Sequence, residues 1–379
     1  MGHSALRATD RRRRAAPDLI VVHASGHDAV ELREGHAAIR RRHPRAVVFG
    51  CTAGGVIGGG REVEQERGLA LVAAQLPQVE MRPFSLDPRG LDPDQLSPQR
   101  WTSRLGLGQA HQPSFLLLAD PYSCDTERLI ASLDAAYPGS PKVGGLASGA
   151  RPPERSLLFG DTLHEVGLVG LALWGDLTVD AVVSQGARPL GAPMTVTRAE
   201  RHLIAELDGA PALRAFEAFY GALSREDRLL LGRGPLVGIG VDPDKTQWRR
   251  GDFLVRDLLG ADRERGVLGV GAPLRTGQVV QFHARDARAA SDELSELLVR
   301  YRRERGGAAP AGALVYSCQG RGQGLYGVPD HDSRVIRQHL GQVPLGGFFC
   351  AGEIGPVHTR TFLHGYTASL ALFRSSGWN

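Results

Sequence analysis

Apolar residues along the chain come in short runs separated by amphipathic stretches, and one order of elements returns three times. The order is an apolar strand, a polar loop, an amphipathic helix, a strand ending in a glycine-rich turn, a long loop and a returning strand. In the first copy Leu19–His23 reads as a strand, Val30–Arg42 as a helix closed by Pro44, Ala46–Phe49 as a strand, Gly50–Gly60 as the turn and Gly68–Ala74 as the returning strand. The second copy runs through Ser114–Ala119, the helix Thr126–Ala136 closed by Pro138, Lys142–Gly145 entering Leu146–Gly149, and Gly167–Trp174. The third runs through Gly312–Ser317, Ser333–Leu340, Gly346–Cys350 entering Ala351–Glu353, and Gly365–Phe373.

Copy starts near residues 19, 114 and 312 leave a gap of double length. A fourth, degraded copy is expected there, from Thr195–Arg198, the helix Pro211–Leu223 and strands Leu236–Val241 and Phe253–Leu258. Between the halves, Val279–His283 reads as a strand and Asp286 as the N-cap of a helix running to Arg305. Repetition of a β-α-β-β unit predicts an α/β fold. Its sheets should be mixed, largely antiparallel and packed together, with helices on the outer faces.

Composition adds that this is a chain with ample core, since 379 residues at 42% hydrophobic and 23% charged do not describe a disordered polymer. A net charge of +4 and a pI near 9.0 suggest a basic protein. The excess is local, however: Arg7 and Arg11–Arg14 against Asp10 account for all of it, leaving a neutral body behind a basic arm at 1–16 that is expected to be disordered. A nucleic-acid partner is not expected, because aromatics are only 6% and do not interleave with basic residues. Nor is a membrane partner, because no stretch approaches the roughly 18 apolar residues a spanning helix needs. The basic start lacks the long apolar run and small-residue cleavage site of a secretory signal, so the expected location is cytoplasmic. Cys51, Cys124, Cys318 and Cys350 form no C-x-x-C pair. No disulfide framework, structural metal or cofactor is expected.

Candidate chemistry gathers at the strand ends. Polar or small residues there include Ser25, His27, Asp120, Ser123, Ser317, Cys318 and Arg321, and the turns add Cys51, Thr52, Ser148, Cys350 and Glu353. Glycines let backbone approach a ligand and aim N–H groups at it, so a small-molecule pocket is expected at this end. Glycines that only satisfy tight turns are the competing reading. Cys318–Gly324 has the wrong spacing for a dinucleotide loop, and the chain has no Gly-Lys pair for a P-loop. Arg321 offers a guanidinium for a carboxylate or phosphate, or an ion pair with an acid such as Glu353. Asp330-His-Asp-Ser333 suggests metal ligands, but adjacent residues converge poorly on one ion, and Asp332 or Ser333 is expected to cap the following helix. A nucleophile would be Cys318, Cys350 or Cys51, with His283, His358 or His364 as base; Glu353 and His364 are also in place for an acid/base pair or an ordinary hydrogen bond.

Four segments in order, Leu314-Val-Tyr-Ser-Cys-Gln-Gly-Arg-Gly-Gln-Gly324, Val328–Ser333, Pro344–Pro356 and Phe362–Ser369, resemble the FIST family, a sensory domain made of a FIST N part and a FIST C part. Val48–Val56, Val143–Ser148, Glu206–Gly209 with Pro211-Ala212, and Phe253–Asp257 are similar to the same family. The resemblance implies a FIST N-like domain over 17–214 and a FIST C-like domain over 215–373, followed by a tail at 374–379. It also implies sensing of small ligands such as amino acids. Relatives join this region to kinase, cyclase or receptor output modules, or in eukaryotes place it behind an F-box for protein recognition. It brings no catalytic residues. Because it takes up nearly the whole chain, a stand-alone sensor is expected, one that signals through a separate partner protein or buffers its ligand.

The expected ligand-binding set is Cys51, Thr52, Gly54, Ser148, Arg256, Cys318, Arg321, Gly352, Glu353 and His364, with Arg321 holding an acidic group and Glu353 a basic one, as an amino acid requires. Two alternatives stand beside it: a cysteine-dependent hydrolase or transferase, and an adaptor that binds protein through the same end.

Overall fold

The computed structural model describes residues 16–87, 96–151 and 154–376. The arginines of the basic arm and the last three residues of the tail therefore lie outside the described residues. Two compact units divide the chain. One takes residues up to Val183, Ser295–Leu363 and Thr367 onward; the other takes Ser184–Leu294 and His364–Tyr366.

The first unit begins with β1 (Leu19–Ser25), α1 (Ala29–Arg42), β2 (Val47–Thr52), the short β3 (Gly55–Gly58) and β4 (Arg61–Glu64), and β5 (Gly68–Ala74). β6 (Val79–Leu86) and α2 (Pro98–Leu105) lead to β7 (Ser114–Ala119), α3 (Thr126–Ala136), β8 (Lys142–Leu146), the short β9 (Leu158–Phe159) and β10 (Leu163–His164), β11 (Leu168–Gly175) and β12 (Thr178–Gln185). The second unit contributes β13 (Ala187–Glu200), β14 (Leu203–Leu207), β15 (Ala210–Pro211), α4 (Ala212–Ala222), α5 (Arg225–Leu231), β16 (Pro235–Gly240), β17 (Phe253–Asp262), β18 (Val267–Val270) and β19 (Val279–Arg285). After α6 (Ala287–Glu304) the first unit resumes with β20 (Gly312–Cys318), α7 (Gln323–Tyr326), α8 (His331–Leu340), β21 (Leu345–Cys350), β22 (Glu353–Val357), β23 (Arg360–His364) and β24 (Thr367–Arg374).

Local chemistry sets the helix starts. Asp28 and Glu31 form a reciprocal capping box on α1, Asp125 caps α3, and the Asp286 carboxylate accepts the Ala289 N–H at 3.1 Å to cap α6. In α3 the buried positions Leu129, Ile130, Leu133 and Ala136 follow helical spacing and turn one face inward.

Three segments share one pairing pattern. The first strand lies parallel to the second across the helix and antiparallel to the last: β1 with β2 and β5, β7 with β8 and β11, β20 with β21 and β24. Each segment then sends its short hairpin to another sheet. β3–β4 extends β21, β9–β10 extends β2, and β22–β23 extends β8, all antiparallel. Each of the three sheets is thus completed by a different segment, in a closed cycle. Gly50–Gly60, expected as a turn, holds the end of β2 and the start of such a hairpin.

One register position makes the parallel pairs fit. Gly50 faces Val22, Gly144 faces Leu117 and Gly347 faces Val315, and a Cβ would stand 1.7, 1.8 or 1.9 Å from the facing carbonyl oxygen. Only hydrogen fits there.

Both faces of the central strands are buried, so these strands read as continuous apolar runs rather than alternating ones. Leu19 and Val21, Leu116 and Leu118, and Leu314 and Tyr316 meet in one core with Phe49, Val143 and Phe348. The alternate residues turn outward to the helices: Ile20 and Val22 pack with Leu32 of α1, and Phe115 and Leu117 with Leu129 and Leu133 of α3.

The second unit is different. β13 pairs with both β19 and β14, which closes β13-β19-β16-β17-β18-β14 into a ring of antiparallel pairs. The ring closes because two strands bend: β13 shifts register between Leu190 and Met194, with Gly191 at φ 65°, and β17 shifts between Leu258 and Gly260. Val237, Ile239, Val280, Phe282 and Ala284 fill its core, where Phe219 of α4 stacks on Phe282 at 4.6 Å. The expected fourth copy is corrected here. Its helix and strands exist, but Leu236–Gly240 and Phe253–Asp257 are antiparallel neighbours, and Thr195–Arg198 is part of the bent β13. The 214/215 division read from the sequence runs through this ring, since β14 and β13 precede it and their partners β18 and β19 follow it.

Candidate functional site

The glycine-rich turns of the three segments interlock in the first unit. The Gly54 N–H donates to the Ser148 hydroxyl at 3.0 Å, and that hydroxyl donates in turn to the Phe349 carbonyl. The Gln319 side chain reaches the Ser148 carbonyl at 3.5 Å, while the Gln319 N–H binds the Cys350 carbonyl at 3.0 Å. Leu146 and Gly352 close the ring through an N–H to carbonyl bond of 2.8 Å. Gly149 sits so close to Thr52 and Ala53 that a Cβ would stand 2.7 Å from both. Gly54, Ser148 and Cys318 are partly exposed and Gln319 and Ala351 exposed, giving a polar, side-chain-poor surface built from all three segments.

The expected set divides three ways. Gly54, Ser148 and Cys318 border this surface. Cys51, Thr52, Gly352, Glu353 and Arg321 come to the same strand ends but are buried. Arg256 and His364 belong to the second unit, where Arg256 stands on β17 opposite Val237 and His364 is 3% exposed.

Burial fixes what each buried group does. Cys51 lies in the central core with its sulfur 3.8 Å from Nδ1 of His23, and burial pushes its thiol well up, as it does for Cys350. Both are apolar core residues rather than nucleophiles. The Thr52 hydroxyl accepts the Leu157 N–H at 2.9 Å and so anchors the returning chain. Glu353 is fully buried; its Oε2 accepts the Thr367 N–H at 3.0 Å and hydroxyl at 2.8 Å, and its Oε1 takes no hydrogen bond from a nitrogen or hydroxyl. Desolvation raises its carboxyl to about 8 against the pull of those Thr367 bonds, with the Cys318 thiol and Arg321 beside it.

Arg321 departs from the expectation of a ligand anchor. It is 1% exposed and holds Asp332 through Nε at 2.8 Å and Nη2 at 3.0 Å, a bidentate pair, with its guanidinium over the Tyr326 ring at 5.6 Å. Asp332 therefore does not cap α8. Although burial pushes its carboxyl up, Arg321 and His331 hold it well below the usual carboxylate range.

Sequence reading missed Glu62 in this cluster. It arrives on β4, which pairs with β3 in the hairpin that extends β21, and its Oε1 accepts the Ser333 N–H of α8 at 2.6 Å. Burial and the neighbouring Asp332 raise its carboxyl to about 7. Nothing in the sequence near Glu62 signals burial, because the helix that buries it lies 271 residues away.

The alternatives meet the same test. His283 is buried in the second unit with its ring lowered to about 4 by desolvation, and His358 is exposed. Among the described residues no group of three or more His, Cys, Asp or Glu side chains is placed to hold a metal ion, and no helix is long and apolar enough to cross a membrane. A groove of about 310 Å³ on the second unit is lined by Arg198, Glu200, Leu203 and Arg265 and includes none of the expected residues.

Comparison with known proteins matches two family models in succession, the FIST N domain over residues 18–210 and the FIST C domain over 214–356. An uncharacterized protein of Mycobacterium tuberculosis is 40% identical over 348 residues, covering 89% of this chain and 86% of its own length. An uncharacterized protein of Mycobacterium bovis is 36% identical over 378 residues, covering 97% and 93%. An F-box/LRR-repeat protein of Arabidopsis thaliana is 28% identical over 132 residues, covering 30% and 25%.

Proposed function

The chain belongs to the FIST family, and from that premise we propose that it is a sensory protein that binds a small polar metabolite at the interlocked turns of its first unit. Sensory ligand binding is the function associated with FIST domains. The observation that carries the location is the ring of contacts among Gly54, Ser148, Phe349, Gln319 and Gly352, which draws on all three segments. A ligand seated there touches every sheet of the unit at once, so occupancy is felt by the whole unit. Backbone N–H and carbonyl groups, the Ser148 hydroxyl and the Gln319 amide supply neutral polar contacts, with the Glu353 carboxyl behind them.

Amino acids are the first class to test. Glu353, fully buried and protonated up to about pH 8, would meet an ammonium group only as a neutral acceptor, and a carboxylate would rest on neutral donors because Arg321 is engaged with Asp332. On this reading the protein acts in the cytoplasm and passes its occupied state to a separate signalling partner. The test is a thermal-shift screen of amino acids and small organic acids. A ligand at 100 times its dissociation constant should stabilise the chain by ~2.7 kcal/mol, and flat melting temperatures across a broad library would count against sensing.

A further inference from the structure

We propose that two copies of this chain pair through the free edge of β5, antiparallel and about a twofold axis at Leu71, so that their sheets join into one. The three sheets of the first unit are built alike except at one edge. Beyond β11 the second sheet continues with β6, antiparallel to it, and beyond β24 the third continues with β12, so each of these sheets has six strands. The first sheet, β10-β9-β2-β1-β5, has five. Among the described residues β5 has β1 on one side and no strand on the other, and the two strands that cover this edge elsewhere are already placed.

The open edge also differs in chemistry. β6 carries Glu80, Arg82 and Pro83, and β12 carries Asp180, which is ion-paired with Arg305 and Arg374. Charges and proline are what keep a sheet edge from pairing with another chain. β5, Gly-Leu-Ala-Leu-Val-Ala-Ala, has neither. An edge strand turns alternate N–H and C=O groups away from its one neighbour, and here apolar side chains stand beside them. Val72 and Ala74 pack on the central core, whereas Leu69, Leu71 and Ala73 turn to the face of Ala24, Val22 and Ile20. On that face α1 covers Ile20 and Val22 through Leu32 but leaves Leu69 and Leu71 48% and 51% exposed.

A second copy matches this edge in charge and in shape. Antiparallel pairing of Gly68–Ala74 with itself in full register sets Leu71 opposite Leu71, Leu69 opposite Ala73 and Ala70 opposite Val72, all uncharged. Just beyond, Arg67 stands opposite Gln75 and Glu66 opposite Leu76, so no like charges meet. A charged strand would instead set its ions against this apolar row. The pairing uses up both free edges, so the assembly closes as a dimer with a ten-stranded sheet, five strands from each copy, rather than growing into a fibre. Seven residues of strand make an interface under the roughly 1,200 Å² of stable complexes, so the dimer is reversible and of micromolar strength. The inference rests on strand pairing alone and is independent of the proposed metabolite.

The test is sedimentation velocity of the full chain across ~1–200 µM, the range in which a small interface associates, with hydrogen exchange measured at both ends of that range. The average mass should climb from 40.7 kDa toward twice that value, and exchange in Gly68–Ala74 should slow as concentration rises. Leu71→Lys and Leu71→Glu, at a half-exposed position, should each weaken association at least about tenfold, because like charges then meet across the axis. Mixing the two variants in equal amounts should restore it. A mass of 40.7 kDa at every concentration, association that both variants leave unchanged, or a mixture no more associated than its parts would overturn the proposal. If a variant misfolds, exchange in the wild type decides: a dimer that forms without slowing Gly68–Ala74 lies on another surface and overturns the pairing.

Discussion

Raising the pH from 6.5 to 8.5 should cost the protein about 2–3 kcal/mol of stability, a trend opposite to that of a fold held by ionised carboxylates. Burial keeps Glu353 protonated up to about pH 8 and Glu62 up to about 7, against 4.5 for an unperturbed carboxyl. A carboxyl raised in this way contributes stability that is complete below its unfolded pKa and is lost as pH climbs toward the folded value, because the unfolded chain releases the proton first. Buried histidines act in the opposite sense. Desolvation lowers His23 and His283 from 6.5 to about 3 and about 4, so what they contribute is complete above pH 6.5 and lost on acidification. Between pH 4.5 and 6.5 the two pairs oppose each other, and above 6.5 the carboxyls act alone. At about 1.4 kcal/mol per pH unit, Glu353 loses ~2 kcal/mol on the way to pH 8 and Glu62 ~0.7 kcal/mol on the way to pH 7. Stopping at pH 8.5 keeps the experiment below the 9.0 of an unperturbed thiol. The assay is urea unfolding followed by circular dichroism at pH 6.5, 7.5 and 8.5 in constant salt, with Glu353→Gln alongside. The variant should lose roughly two-thirds of the pH slope. Wild-type stability that stays level or rises over this range, or a variant with an unchanged slope, would refute the reasoning.

Two structural predictions follow from single contacts. Gly144→Ala would place a Cβ 1.8 Å from the Leu117 carbonyl where real contacts essentially never fall under 3.0 Å; the strands must separate, and melting should report a loss of about 3 kcal/mol or more. Gly139→Ala gives no such clash but sits at φ 74°, and its smaller loss separates backbone strain from strand contact. Arg321→Met should cost about 3–5 kcal/mol because Asp332 is left buried and charged, whereas Arg321→Met with Asp332→Leu should recover most of that loss; a double variant as unstable as the single one would contradict the pairing.

Much of the first unit was legible because its central strands are buried on both faces. Ser114–Ala119 and Thr126–Ala136 stand where the apolar run and the helical spacing place them, the helix starting after its Asp125 cap. The short hairpins were not legible. β9 has two residues and β3 four, and both are held by pairing with another segment rather than by any preference of their own. The ring of the second unit escaped for a related reason. Its strands were visible, but closure depends on where β13 and β17 bend, and only pairing reveals that. At the site, the shared strand end of Cys51, Ser148, Cys318 and Glu353 could be read from the repeated order of elements. The partner of Arg321 could not, because Asp332 at the start of a helix carries the same signature as a cap, and the bidentate pair depends on how the turn at 319–322 folds back.

Hydrogen–deuterium exchange with and without the strongest ligand from the thermal-shift screen tests the location of sensing most directly. Ligand binding at the interlocked turns should slow exchange together in 51–55, 146–149, 318–323 and 351–354, segments far apart in sequence that share one surface. Protection confined to the ring strands between residues 187 and 285, or to one of the four turn segments alone, would contradict a binding site made from all three.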